Sequence, residues 1–267
     1  MRKVLIFIIL TAFVSFFIAP YLLAKGQGVD LTFRFEEILA GQKLTSFGPS
    51  NFLKYAIRGA VSAGVPTNTV VLLLLLPEVA AIIAAFRHLV GLRGFGIFLP
   101  AALSLVFVET GPVVGIGMFL IIVSVSTFVR IVLRRFKIKL QYLPRMALLL
   151  LFVVLGVLLV LFAAPVLRRP DITNVSIFPI LILVLLAEDF SRVQLGKSAK
   201  TAVNLTTETL ILALASFIFL TSFEVQKFAL LNPEVLLLAV LLFDFFLGKY
   251  VGLRLMEFWR FRRLITG

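Results

Sequence analysis

Residues 146–165 read MALLLLFVVLGVLLVLFAAP, and none of these side chains is charged. At about 1.5 Å per residue a helix of about 20 residues is about 30 Å long, the thickness of a bilayer's hydrocarbon core. Working outward, comparable apolar runs occupy 4–23, 67–86, 95–110, 112–133, 173–189, 203–222 and 234–253. Of the 267 residues, 61% are apolar and 15% charged, and the mean hydropathy is +1.13. A soluble domain averages about 45–50% apolar and about 25% charged. This composition excludes a water-soluble fold, for want of polar residues to cover it, and it excludes disorder. The expected fold is all-α: a polytopic membrane helix bundle of about eight transmembrane helices.

Three regions follow. Residues 1–24 form a signal anchor or first helix, because Leu22 and Ala24 poorly match the small residues a cleavage site wants. Residues 25–65 form a short extracytoplasmic segment. Within it VDLTFRFEEIL (29–39) reads as a strand or a helix start. After Pro49, capped by Ser50 or Asn51, a helix presents Leu53, Ile57, Ala60 and Val61 on one face and lies in the interface. Residues 66–267 form a seven-helix membrane domain. The run 95–110 is short, contains Pro100, and ends in the tight turn Glu109-Thr110-Gly111-Pro112. It reads as a full span or a re-entrant segment. Pro77 and Gly94 are spaced like Pro179 and Gly196, which suggests a parallel internal repeat.

Lysine and arginine set the orientation. With Met1 in the cytoplasm, eighteen of the 26 fall on the inner side, six of them between Arg130 and Arg145 and five between Lys249 and Arg263. Eight fall outside, among them Lys54, Arg58, Arg168 and Lys227. Both termini are therefore expected in the cytoplasm. The net charge of +13 suits inner loops and anionic lipid rather than nucleic acid. There is no cysteine and one histidine, His88, so no metal site and no cofactor is expected.

Five features attract chemical interest. Glu78 follows Pro77 near the middle of its span, and Asp244 lies in the FDFF segment of the last. Intramembrane carboxylates cost about 2.5–3.5 kcal/mol on insertion scales. They form a candidate ionisable site, or they fix packing, Asp244 by pairing with Lys249. The cytoplasmic turn Arg87-His88-Leu89-Val90-Gly91-Leu92-Arg93-Gly94-Phe95-Gly96 is a candidate anion site at the N-terminus of the following helix, or a positive-inside turn that needs glycine. Glu188 and Arg192 suit a helical ion pair. At the C-terminus Arg254, Trp259, Arg260, Arg262 and Arg263 read as lipid-headgroup anchors or a docking surface for an acidic partner. Small residues such as Gly115, Gly117, Ser124 and Thr127 permit close helix contact. No catalytic set is evident: there is no Ser–His–Asp arrangement and no P-loop, and a base such as Glu78 or Glu109 has few polar groups to work with.

PEVAAIIAAFRHLVGLRGFGIFLPAALSLVFVETG (77–111), SIFPILILVLLAEDFSR (176–192), TTETLILALASF (206–217), NPEVLLLAV (232–240) and GKYVGLRLMEFWRFRRL (248–264) together resemble, in order, a bacterial seven-transmembrane-helix module usually fused to an inactive transglutaminase-like domain. The resemblance covers about residues 60–265. The family carries a large extracytoplasmic domain after its anchor, where this chain has about 40 residues, so that domain is expected to be missing or reduced to a remnant. Family genes tend to sit beside ATP-grasp peptide ligases. The resemblance thus implies a multi-pass inner-membrane protein, non-catalytic, that works with a cytoplasmic ATP-grasp ligase in making or exporting a peptide-like product. Membrane lipids and a second copy of the chain are the other expected partners. A fainter similarity, to the membrane subunit of poly-γ-glutamate capsule synthesis, rests on the Gly-rich turn followed by a Pro-containing span. The alternative is an ion-coupled secondary transporter or channel using Glu78 and Asp244.

The charge asymmetry makes a direct prediction. Reporters fused at Met1 and within the RRFKIK loop (134–139) are expected on the same side of the membrane, and opposite sides in a protease-accessibility assay contradict the topology.

Overall fold

The computed structural model describes residues 35, 38–39, 41, 51–136, 141–166, 176–196 and 199–252, with backbone alone at 134, 164–166, 188–196, 199–200 and 202. The described residues are helical nearly throughout, and no strand occurs among them. The anchor at 1–24, the Glu188–Arg192 pair and the C-terminal residues Arg254, Trp259, Arg260, Arg262 and Arg263 lie outside the described residues or their described side chains. Phe35, Ile38, Leu39 and Gly41 are helical, which resolves the strand-or-helix ambiguity of 29–39 at those positions.

The helices are α1 (Phe52–Ser62), α2 (Thr67–Ala85), α3 (Phe98–Thr110), α4 (Pro112–Arg135), α5 (Tyr142–Val166), α6 (Ile177–Gly196), α7 (Ala199–Thr221), α8 (Phe223–Leu231) and α9 (Pro233–Lys249). A π-helical turn, Phe86–Val90, prolongs α2. Among the described residues four stretches are long and apolar enough to cross a bilayer: Thr67–Val90, Pro112–Leu133, Tyr142–Ala163 and Val203–Thr221. Phe98–Thr110 and Ile177–Ala187 are shorter apolar helices, and α8 and α9 form an apolar pair bent by 106°. The bend falls at Asn232-Pro233, where Pro233 opens α9. Proline suits a first helical position and disfavours helix in the residue before it. The separate helix α8 was not foreseen from sequence.

The chain divides into two compact units, one from Met1–Leu92 and Ile218–Gly267, the other from Arg93–Phe217. The expected internal repeat has no counterpart in them. Pro77 lies inside α2, whereas Pro179 is in the first turn of α6, and Gly196 ends a helix while Gly94 lies in a loop.

In the first unit α8 and α9 pack on α2, and α1 packs on α9. The amphipathic α1, expected in the interface, buries Ile57 and is docked on protein. Asn51 holds the cap position but makes no side-chain cap bond. The backbone N–H of Lys54 donates instead to Glu234 Oε1 at 3.1 Å, so a carboxylate from α9 satisfies one of the N–H groups left open at the α1 N-terminus. Arg58 Nη2 donates to the Leu39 carbonyl, and Phe35 stacks on Phe223 with centroids 6.0 Å apart. Gln226, buried on α8, donates Nε2–H to the Leu220 carbonyl at 2.6 Å, satisfying the last turn of α7.

In the second unit α3 to α6 pack against one another. Eight of the thirteen α3 residues are buried, which makes this short helix a core element. It ends at Gly111 (φ 81°), with Pro112 at the start of α4, the turn expected from Glu109-Thr110-Gly111-Pro112. By contrast α5 turns a broad apolar face outward: Leu143, Leu151, Leu159 and Phe162 are all more than half exposed. Such a surface is stable only in contact with lipid or protein.

Two glycines set helix spacing. A Cβ on Gly156 would stand 2.9 Å from Val125 Cγ2, and one on Gly115 would stand 2.5 Å from the Phe107 ring. Gly117 has nothing within 4 Å. The buried small polar residue of α4 is Ser126, whereas Ser124 is exposed. Gly156→Leu is expected to cost about 1–3 kcal/mol by overpacking and to lower the thermal midpoint in detergent. Gly117→Ala is expected to be neutral or to add up to about 1 kcal/mol through helix propensity.

Candidate functional site

The turn at 86–96 follows from its glycines. Gly91, at φ 93°, receives the end of the π turn, its N–H donating to the Phe86 carbonyl at 3.1 Å. Gly96 has φ 44°. Both positions are in the left-handed region, which only glycine enters freely. Gly94 has a different role. A Cβ there would stand 3.0 Å from Leu212 Cδ1 and 3.1 Å from Thr209 Oγ1, so it permits a close approach of backbone to α7.

That approach is fixed by two side chains of the TTET segment. Glu208 is 4% exposed and its Oε2 accepts the Arg93 backbone N–H at 2.5 Å. Thr209 Oγ1 accepts the Phe95 N–H at 2.8 Å and donates to the Leu205 carbonyl at 2.7 Å. Of the residues read as a candidate anion site, Arg93 therefore meets an anion from the protein itself through its backbone N–H, and Gly94 lies against Leu212 and Thr209. Neither Glu208 nor Thr209 was singled out from the sequence for this role. The available signal was an acid among threonines in an otherwise apolar span, since a buried carboxylate must find donors.

In the first unit, Arg87 and His88 are half-buried at the end of the π turn. His88 Nε2 lies 2.8 Å from the Tyr250 carbonyl, and the rings meet edge to face with centroids 5.9 Å apart. Tyr250 is the C-cap residue of α9, so His88 donates to a carbonyl at the C-terminal end of that helix. Its position at the end of α2 brings the C-terminal ends of α2 and α9 together, and the two packed helices run in the same direction.

The intramembrane carboxylates do not share one environment. Glu78 is half-buried, and its Oε2 is buried with no hydrogen-bond partner. Asp244 is exposed, as are all residues from 241 to 246. Lys249 places Nζ 4.2 Å from the Phe245 ring centroid, so its ammonium is directed to an aromatic face. Glu109 is exposed at the α3 end. A cleft between α5 and α6 is lined by Met146, Leu149, Leu150, Val153, Val184 and Ala187, a lining that suits an acyl chain and offers no charge. Among the described residues no three His, Asp or Glu side chains gather as a metal site.

Residues 34–265 match the sequence pattern of a family described as seven transmembrane helices usually fused to an inactive transglutaminase. The chain belongs to that family. It is a multi-pass membrane protein. The match begins at Arg34, earlier than the resemblance traced from residue 60, so α1 falls within the family region. No curated protein and no solved structure matches the chain.

Glu208→Ala is expected to leave the Arg93 N–H unsatisfied, at a cost of about 1–3 kcal/mol, and to make the 91–96 turn susceptible to protease. Glu208→Gln, which keeps an acceptor, is expected to lose less. Thermal unfolding in detergent and limited proteolysis measure both effects.

Proposed function

We propose that this chain is the non-catalytic membrane component of a bacterial inner-membrane system, working with a cytoplasmic ATP-grasp peptide ligase to anchor or export its product. The ligase association comes from the family resemblance. The observation that carries the scaffolding part is where the buried polar side chains are directed. Glu208 and Thr209 hold the 93–95 backbone, Gln226 holds the end of α7, and Ser104 and Thr110 bond carbonyls of their own helix. Each of these five is committed to main chain within its own unit.

The topology proposed is eight spans with both termini in the cytoplasm, seven of them in the family region. Four long helices, two short apolar ones and one bent pair correspond in number to the family's seven. The common direction of α2 and α9 supports the same count, because it requires an odd number of crossings by α3 to α7. A single re-entrant segment among those five would reverse α9. The turn at 86–96 and the basic C-terminal residues then share the cytoplasmic side, where they suit an acidic partner surface and anionic lipid. The ion-coupled transport reading retains Glu78 but has little use for Asp244, which stands exposed among phenylalanines.

The test is affinity capture of the full chain from its own membranes in mild detergent. An ATP-grasp ligase is expected to co-purify, and the double variant Arg260→Glu, Arg263→Glu is expected to reduce its recovery about tenfold. A pull-down from which every ATP-grasp ligase is absent overturns the assignment.

A further inference from the structure

Glu78 is the twelfth residue of the 24-residue stretch Thr67–Val90. About 17 Å of helix separates it from either end, so neither membrane surface lies within reach of its side chain. Its Oε2 is buried and receives no hydrogen bond, while the residue as a whole is only partly buried. The neighbouring backbone is unusual as well. Pro77, inside α2, has no N–H to give the Leu73 carbonyl, which leaves an acceptor open within one turn of Glu78. An ionised carboxylate adds acceptors to a place already short of donors. A protonated one supplies the missing donor.

The charged groups on the helices packed against α2 do not change this. On α8 these are Glu224, which is exposed, and Lys227, for which no bond to Glu78 occurs. On α9 they are Glu234, engaged with the Lys54 N–H, and Asp244 and Lys249, both exposed. On the π turn Arg87 and His88 stand more than two helical turns away along the axis, and His88 is engaged with Tyr250.

We propose that Glu78 is a proton-binding site within the membrane, taking up and releasing a proton midway along α2. The site is independent of the ligase association and rests only on the membrane reading. It gives the chain one carboxyl whose hydrogen bonding changes with protonation, at the proline where α2 is easiest to bend.

The probe is dicyclohexylcarbodiimide, an apolar reagent that enters bilayers and reacts with protonated carboxyl groups. The Glu78 O–H adds across one C=N bond: the oxygen bonds the central carbon and the proton passes to nitrogen. An acyl shift then gives the stable N-acylurea, and nothing leaves. Full-length chain in liposomes is treated across a pH series and its peptides are read by mass spectrometry. The expected result is an adduct on Glu78, about tenfold or more abundant at about pH 6 than at about pH 9. It is suppressed neither by a water-soluble amine nor by Asp244→Asn, and it is lost in Glu78→Gln. Absence of the adduct at every pH, with a reactive intramembrane carboxyl in a control protein labelled in the same vesicles, overturns the proposal. So does a yield on Glu78 that does not vary with pH. Both readouts use the native residue, so they stand even where Glu78→Gln folds poorly.

Discussion

In a medium without water, every polar group must find its partner inside the protein, and the cost of failing to do so is several kcal/mol per group. That requirement explains why the polar residues of this chain are few and why several of them are buried. Glu208, Thr209 and Gln226 are among its most buried side chains, while Leu159, Phe162 and Phe246 stand largely exposed. These three polar groups are paired with backbone that the helices leave open: loop N–H groups at Arg93 and Phe95 and a terminal carbonyl at Leu220, whereas Glu78 Oε2, Thr67 Oγ1 and Ser216 Oγ are buried without a partner. The hydroxyls of Ser104 and Thr110 bond a carbonyl one turn back in their own helix.

The same requirement organises the first unit. The last helix is tied at both ends by main-chain to side-chain bonds, with Glu234 accepting the Lys54 N–H and His88 meeting the Tyr250 carbonyl. The only histidine in the sequence thus acts as a helix clasp where the C-terminal ends of α2 and α9 meet. Between its two ends α9 is loosely held on one side. Its run from 241 to 246, Asp244 included, is exposed.

The candidate turn shows how much of a site residue types alone can convey. Its three glycines, two arginines and histidine marked a place where backbone does something other than continue a helix, and Gly91 and Gly96 do adopt positive φ. The anion that meets this backbone is Glu208, more than a hundred positions along the chain. No spacing rule links residues so far apart. The pairing exists because α7 presents that carboxylate where Gly94 lets the loop lie against it. Glu78 and Asp244 looked equivalent as acids in apolar spans. They differ because α2 is covered by two helices, whereas the second half of α9 is largely uncovered.

Composition and the length of the apolar runs determined by themselves that this chain lives in a bilayer, because about 20 uncharged residues in a row match the hydrocarbon core whatever they pack against. They also placed most helices to within a few residues, since proline, glycine and charge end helices locally. Tertiary structure alone decided which helices are central, that 223–231 is a helix of its own, and which carboxylates are engaged. In an apolar medium nearly every face of a helix is apolar, so the sequence periodicity that distinguishes inside from outside in water is almost erased, and only contact can restore it.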